Sequence, residues 1–326
     1  MGCTVTDLRH AITSAPSNAT LVLGSGCIYR LTSALPQITR KNLTIQGSHD
    51  TITRTSGSFT MLTVATANLT INQLTMSHAH HVNGLGGAIE AREAANVTIT
   101  NSRFSGNDST AGGAIDVFNF SRLTVSDSTF AGNQAAAQGG AIEIDQLASA
   151  AVTGSLFSGN KAPAGGAIAD LHGILTVTGA ASTFTGNVVT GLGGAIVDSQ
   201  GSLNVANASF RGNTAGAGGA IYVNGAAAAV SNSGFTANHA IGDGGAVYTQ
   251  TLLNLTGDSM SGNRADGTGG AVEVGAVGNA TLSATHISGN TAGTDGGGVK
   301  NHGTASLTDG SLVTLNRPDN CSGLTC

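Results

Sequence analysis

Along most of this chain the apolar residues come in short runs with a period of two, never in the three-to-four spacing over ten positions that a helix needs. One stretch reads Leu123-Thr124-Val125, then Ser128-Thr129-Phe130, then Ala141-Ile142-Glu143-Ile144. These runs favour β-branched residues and are separated by Gly, Asn and Ala, so they predict three short strands per copy. The order then returns. The first glycine of a doublet stands at Gly86, Gly112, Gly139, Gly165, Gly193, Gly218, Gly244, Gly269 and Gly296, with spacings of 26, 27, 26, 28, 25, 26, 25 and 27. An asparagine keeps the same beat at Asn107, Asn133, Asn160, Asn187, Asn213, Asn238, Asn263, Asn290 and Asn316.

A fixed period of this size means one unit stacked on copies of itself. Three short strands per copy, in register, make a parallel β-helix, right-handed by analogy with parallel β crossovers. The fold class expected is all-β: a right-handed parallel β-helix, a solenoid of about 10–11 rungs. Phe104, Phe130, Phe157, Phe184, Phe210, Phe235 and Met260, with Ile287 in the same slot, should stack inside the coil. The asparagine should sit at a turn, its short amide tolerating left-handed φ and bonding the same group one rung up. The Gly-Gly pair allows a bend with no Cβ to clash. Before the repeats, Thr6 to Ile12 has an N-cap candidate and one apolar face, which predicts a short helix capping the open end of the coil. Strands should follow at Thr20 to Leu23, Asn42 to Ile45, Thr51 to Thr53, Leu62 to Val64 and Asn68 to Ile71, with regular rungs from about Asn68. The expected division is 1–40 as cap and first rung, 41–316 as repeats, and 317–326 as a disulfide-closed C-terminal cap.

The pairing of Phe-x-x-Asn with Gly-Gly-Ala-Ile, as in Phe104 to Asn107 with Gly112 to Ile115, resembles the repeats of polymorphic outer membrane proteins and of secreted bacterial right-handed β-helix proteins. The resemblance covers roughly residues 40 to 320 and recurs in eight or nine copies. It implies a right-handed β-helix at the cell surface or outside the cell, without implying one activity. The autotransporter members carry a C-terminal membrane barrel; this chain stops at Cys326, so self-anchoring is not expected. No apolar region follows Met1, so the first residues do not read as a signal peptide.

Composition changes the picture in few places. There are 49 glycines, four prolines, no tryptophan and 10% charged residues, which suits a chain that turns often and buries small aliphatic side chains. A net charge of −5 and the lack of any Lys or Arg run argue against nucleic acid as a partner. No apolar run approaches the roughly eighteen residues of a membrane-spanning helix, and a monomer is expected. Ten rungs at roughly 4.8 Å put the chain ends about 48 Å apart, while a disulfide needs Cα atoms within about 7 Å. Bridges should therefore join Cys3 to Cys27 and Cys321 to Cys326, which suits an oxidising compartment. A zinc site shared by the two pairs fails on the same distance.

Function must come from where the repeat is decorated. If the Ile of Gly-Gly-Ala-Ile points inward, the residues one and three positions later face outward. The first position reads Glu90, Asp116, Glu143, Ala169, Val197, Tyr222, Tyr248, Glu273, Lys300, and the second reads Arg92, Phe118, Asp145, Leu171, Ser199, Asn224, Gln250, Gly275, His302. With the slot between them, which adds Asp170 and Asp198, 9 of 27 places are charged against 10% overall, marking a working surface. Glu90, Asp116 and Glu143 fall on consecutive rungs about 4.8 Å apart, where like charges raise at least one pKa and make an acid and a base. Neighbours one rung apart would suit a retaining glycosidase, and Glu90 with Glu143 the wider inverting spacing. Arg92 would hold an anion or acidic sugar. His78, His80 and His81, at a turn that stretches the repeat, would carry protons or bind a metal. Substrate contacts would fall to Phe118, Asp145, Tyr222, Tyr248 and Glu273. The shortage of aromatics weakens a platform for neutral sugars.

The plain alternative is that outward charges keep a solenoid soluble and blunt its edges. No cofactor is called for, although stacked carboxylates could take calcium. The expectation is an extracellular or surface scaffold that binds a carbohydrate or cell-surface ligand through the charged stripe. The alternative is a β-helix enzyme on that stripe: a polysaccharide lyase, glycoside hydrolase, epimerase or small-molecule cyclase.

Overall fold

The computed structural model of the chain describes residues 1–179 and 182–326. Among these the strands form three sheets, of 22, 12 and 9 strands, whose members pair in parallel. The twelve-stranded sheet takes one strand from each turn, so the coil makes twelve turns where ten or eleven were expected. A regular turn holds four strands instead of three. Arg122–Ser126 and Thr129–Ala131 belong to the wide sheet, Gln134–Gln138 to the narrow one, and Ile142–Ile144 to the twelve-stranded one. The unforeseen strand reads Gln134-Ala135-Ala136-Ala137-Gln138, with no β-branched residue and no apolar alternation to announce it.

Coiling begins early. Ala19–Val22 pairs with the start of Asn42–Arg54, and Ile28–Leu31 with its end. The expected strands Asn42 to Ile45 and Thr51 to Thr53 are therefore one continuous strand. The helix runs Val5–Ser14, with Thr4 as its cap: the Thr4 hydroxyl accepts a hydrogen bond from the Asp7 N–H at 3.1 Å. The capping residue thus stands two places before the expected candidate. Leu8 and Ile12 are fully buried against the first turn with Leu23, Tyr29 and Leu31, which covers the open end of the core. Cys3 is bonded to Cys27 and Cys321 to Cys326, as their spacing required.

Inside, like residues stand on like. Six rings from Phe104 to Phe235 stack with centroids 4.8–5.0 Å apart and planes within 8°. Met260 and Ile287 continue the column. Beside it runs the asparagine ladder. Asn160 Nδ2 donates to Asn187 Oδ1 at 2.9 Å, its backbone N–H donates to the same oxygen, and Asn187 Nδ2 reaches the Phe157 carbonyl at 3.1 Å. Each amide is satisfied at close to zero exposure, as a buried polar column must be.

The asparagines do not take left-handed φ. That conformation falls on the residue before each of them, as in Gly106, Gly132, Gly159 and Gly212. At the other corner, the second glycine of a doublet lies directly beneath the next turn. A Cβ on Gly194 would run into the Gly219 carbonyl oxygen, and one on Gly219 into that of Gly245. Absence of a side chain there is a packing requirement, and only the first glycine of the pair needs positive φ.

Replacing Asn187 by Leu should strand the Asn160 N–H groups and the Phe157 carbonyl inside the coil, costing about 3 kcal/mol or more. Urea denaturation reads this directly, and a loss under about 1 kcal/mol would show that the ladder is ornamental.

Candidate functional site

From Ile89 to Val299, the strands of the twelve-stranded sheet turn an isoleucine or valine into the core and the next residue outward. Glu90, Asp116 and Glu143 do lie in register on three successive strands. Facing outward has not left them in water. Asp116 is 2% exposed and Glu143 6%, while Glu90 is half-buried. Leu85, from the corner before the doublet, and Phe118, Asp145 and Gln146, from the turns after the strands, join Asp116 and Glu143 in lining a cavity of about 180 Å³.

Burial decides the chemistry of this cleft. Asp116 Oδ1 and Glu143 Oε2 are sealed from solvent and lack a hydrogen-bond partner. Loss of hydration, reinforced by Glu143, Glu90 and Asp145, pushes the Asp116 carboxyl well above the usual range. Burial, with Asp145 beside it, lifts Glu143 to about 8. Two carboxyls one strand apart thus both have their protonated form favoured by burial.

The other expected members divide. Arg92 stands beside Glu90 at 3.6 Å and ion-pairs with Glu93 at 3.0 Å, so its charge is answered within the protein. Glu90 Oε2 accepts a hydrogen bond from the Thr63 hydroxyl at 3.2 Å. Phe118 and Asp145 line the cleft. The histidines do not reach it. His78 precedes the strand His80–Leu85, which belongs to the narrow sheet, where the inserted residues are absorbed as a bulge. His80 Nδ1 meets Asp108 Oδ2 at 2.9 Å and His81 Nδ1 meets the Thr60 hydroxyl at 2.9 Å.

Tyr222 and Tyr248 share the outward face, but their rings stack on each other at 5.1 Å, which uses the faces a sugar would need. Tyr222 packs with Ala169 and Val197 as a small apolar patch between the cleft and Glu273. Glu273 lies five strands beyond Glu143, about 24 Å away. It is 2% exposed, accepts a hydrogen bond from the Thr268 hydroxyl and is raised to about 8, chiefly by burial. Tyr222, Tyr248 and Glu273 are therefore not part of the same cavity.

Asp170 and Asp198 do not belong to the outward stripe. They continue the inward column of Val117 and Ile144, fully buried, with Asp170 Oδ1 accepting from the Gly173 N–H at 2.8 Å. Their carboxyls lie where a Cβ of Gly201 or Gly225 would be. Burial raises each to about 7. A residue not foreseen is His172, whose Nδ1 meets Asp145 Oδ1 at 2.8 Å at the rim of the cleft. The separation of 27 residues, one turn of coil, was its only signal in the sequence. Among the described residues, no three His, Cys, Asp or Glu side chains converge as a metal site would require.

A carboxyl that titrates at about 7 when folded, against 3.8 ordinarily, holds a proton in the folded state alone between those values. Its contribution therefore falls as pH rises from about 4 to about 7 and is level above. Urea midpoints should drop less between pH 5 and pH 8 for Asp198→Asn than for the unaltered protein; equal drops would contradict the buried-acid assignment.

Comparison with known proteins agrees with the coil. A family model described as a right-handed beta helix region matches residues 17–210, and one for the Chlamydia polymorphic membrane protein repeat matches residues 207–224. No curated protein matches by sequence. Among solved structures, tailspike protein 3 of bacteriophage CBA120 aligns over 97% of this chain and 58% of its own length, at 14% identity and a TM-score of 0.35. No helix among the described residues is long and apolar enough to cross a membrane. With more than half its residues matched by that first model and its strands rising in parallel register, the chain belongs to the right-handed β-helix family.

Proposed function

We propose that this protein is an extracellular β-helix scaffold that binds a carbohydrate chain on the outer face of its twelve-stranded sheet, anchoring one residue of that chain in the Asp116–Glu143 cleft. One observation carries this reading. The side of the coil is continuous sheet, and at this place its outward positions are walled into a cavity holding two buried carboxyl oxygens with no partner. Asp170 Oδ2 and both Asp198 carboxyl oxygens are also unpartnered, but only Asp116 and Glu143 line a cavity in which a bound group could supply donors, and a saccharide is dense in donors. At about 180 Å³ the cavity falls below the roughly 300 Å³ of a typical small-molecule pocket, so it suits a single unit of a longer ligand. Phe118 supplies an apolar wall for a ring. The two local disulfides fit an oxidising compartment.

A second reading is favoured by the register of Asp116 with Glu143. Two carboxyls on adjacent strands, each raised by burial and with Glu143 raising Asp116 further, can divide on a bound glycosidic bond, one keeping its proton as general acid and the other ionised as general base. A hydrolase or lyase would use them so.

Binding is tested by titrating an oligosaccharide library against the protein and its Phe118→Ala variant. We expect at least one ligand whose affinity falls about tenfold in the variant, since a buried ring contributes roughly 1.5 kcal/mol. No ligand from the library, or no effect of the variant on any, would count against the cleft as the binding site. Release of new reducing or unsaturated ends that falls about 100-fold or more in Asp116→Asn, with binding retained, would make the site catalytic.

A further inference from the structure

The charges in the cleft do not balance. Four carboxylic acids face it or border it, namely Glu90, Asp116, Glu143 and Asp145. The basic side chains beside them are Arg92 and His172. Arg92 is taken by Glu93 at 3.0 Å and lies 3.6 Å from Glu90, while His172 is taken by Asp145 at 2.8 Å. Asp116 and Glu143 are left with no cation. On the core side the next acid, Asp170, is fully buried and supplies no cation. The remaining lining residues, Leu85, Phe118 and Gln146, carry no charge.

We propose that the saccharide bound here is one bearing free ammonium groups, an oligomer or polymer of amino sugars. The inference rests on the carbohydrate reading above and narrows it. Before a ligand binds, burial favours the protonated form of both acids; once a bound cation ionises them they accept hydrogen bonds and donate none, so Asp116 Oδ1 and Glu143 Oε2 then suit a group that is all donor. An ammonium offers three N–H groups and the opposite charge, and its hydrogen bonds to carboxylate are roughly twice as strong as neutral ones. A hydroxyl brings lone pairs along with its single donor, and a uronate brings a third negative charge into a low-dielectric cleft. Arg92 has its charge met by Glu93 and Glu90, although its Nε makes no hydrogen bond, and it does not line the cavity in which a uronate would sit. Phe118 beside the carboxyls adds an aromatic face, which attracts a cation and gives an acetamide no such advantage.

Proton exchange distinguishes this ligand from others. An ammonium entering the cleft favours the ionised carboxyls, so it drives protons off Asp116 and Glu143 into the buffer, and while the amine itself stays protonated its affinity rises as pH rises toward the value of about 8 at which Glu143 ionises. Asp145 lines the same cleft, and its partner His172 and the charged groups Glu90, Arg92 and Glu93 stand near it, so the two buried acids must be tested by removing them.

Calorimetric titrations at pH 6.5 with β-1,4-linked glucosamine tetramer, its fully N-acetylated counterpart and a galacturonate tetramer provide the test, repeated in buffers of different ionisation enthalpy. The expected result is binding of the glucosamine tetramer at least about tenfold tighter than either alternative, with net proton release. The double variant Asp116→Asn, Glu143→Gln keeps shape and removes both buried acids, and it should lose that preference while its circular dichroism is unchanged. Equal or tighter binding of the acetylated or acidic tetramer would overturn the ammonium inference and leave the carbohydrate reading standing. Binding of a lysine-rich peptide with no saccharide bound would overturn both.

Discussion

Vertical register is the constraint on which the whole molecule depends. Once one turn of chain lies on the next in parallel pairing, residues about 26 positions apart become neighbours, and whatever a position carries must tolerate a copy of itself above and below. Phenylalanine meets this by stacking its rings, and asparagine by donating to and accepting from its own kind. Glycine meets it by having nothing to clash: the second glycine of each doublet sits under a carbonyl of the next turn. Each solution works only in a column, which is why the repeat is so strict in these slots and so loose elsewhere.

The same register makes chemistry out of spacing. A carboxylate on one outward position is a solvated surface charge. On successive strands, with the corners rising on both sides, such groups shield one another from water and repel, so they keep their protons. Asp116 and Glu143 show this most fully, with burial the larger cause for each. Asp170 and Asp198 show the inward version, where carboxyls replace the aliphatic residues of the column and lie over glycines that leave them room.

Most of the coil was legible because its signals are local and repeated. Doublet, asparagine and aromatic each mark a fixed place in the turn. The strand Gln134–Gln138 escaped because alanine and glutamine carry no strand preference, and its pairing comes from the turns around it. The helix cap lies at Thr4, before the segment Thr6 to Ile12 in which it was expected, because side-chain reach to the Asp7 N–H, not the start of the apolar face, defines the position. The histidines misled because closeness in sequence to Glu90 was read as closeness in space. A corner of the coil lies between them, and it sends His80 and His81 to a different wall.

By itself, then, the sequence determined the coil, its period, the interior columns, the two disulfides and the placing of Glu90, Asp116 and Glu143 on one outward line. These follow from periodicity and chain length, which need no knowledge of what surrounds a residue. Tertiary structure alone decided that two of those three acids are closed off from water, that Arg92 is already neutralised, that His172 reaches Asp145 and that the two tyrosines spend their faces on each other. Those outcomes depend on how high the corners rise beside the sheet, and that height is set by contacts between turns that no single repeat encodes.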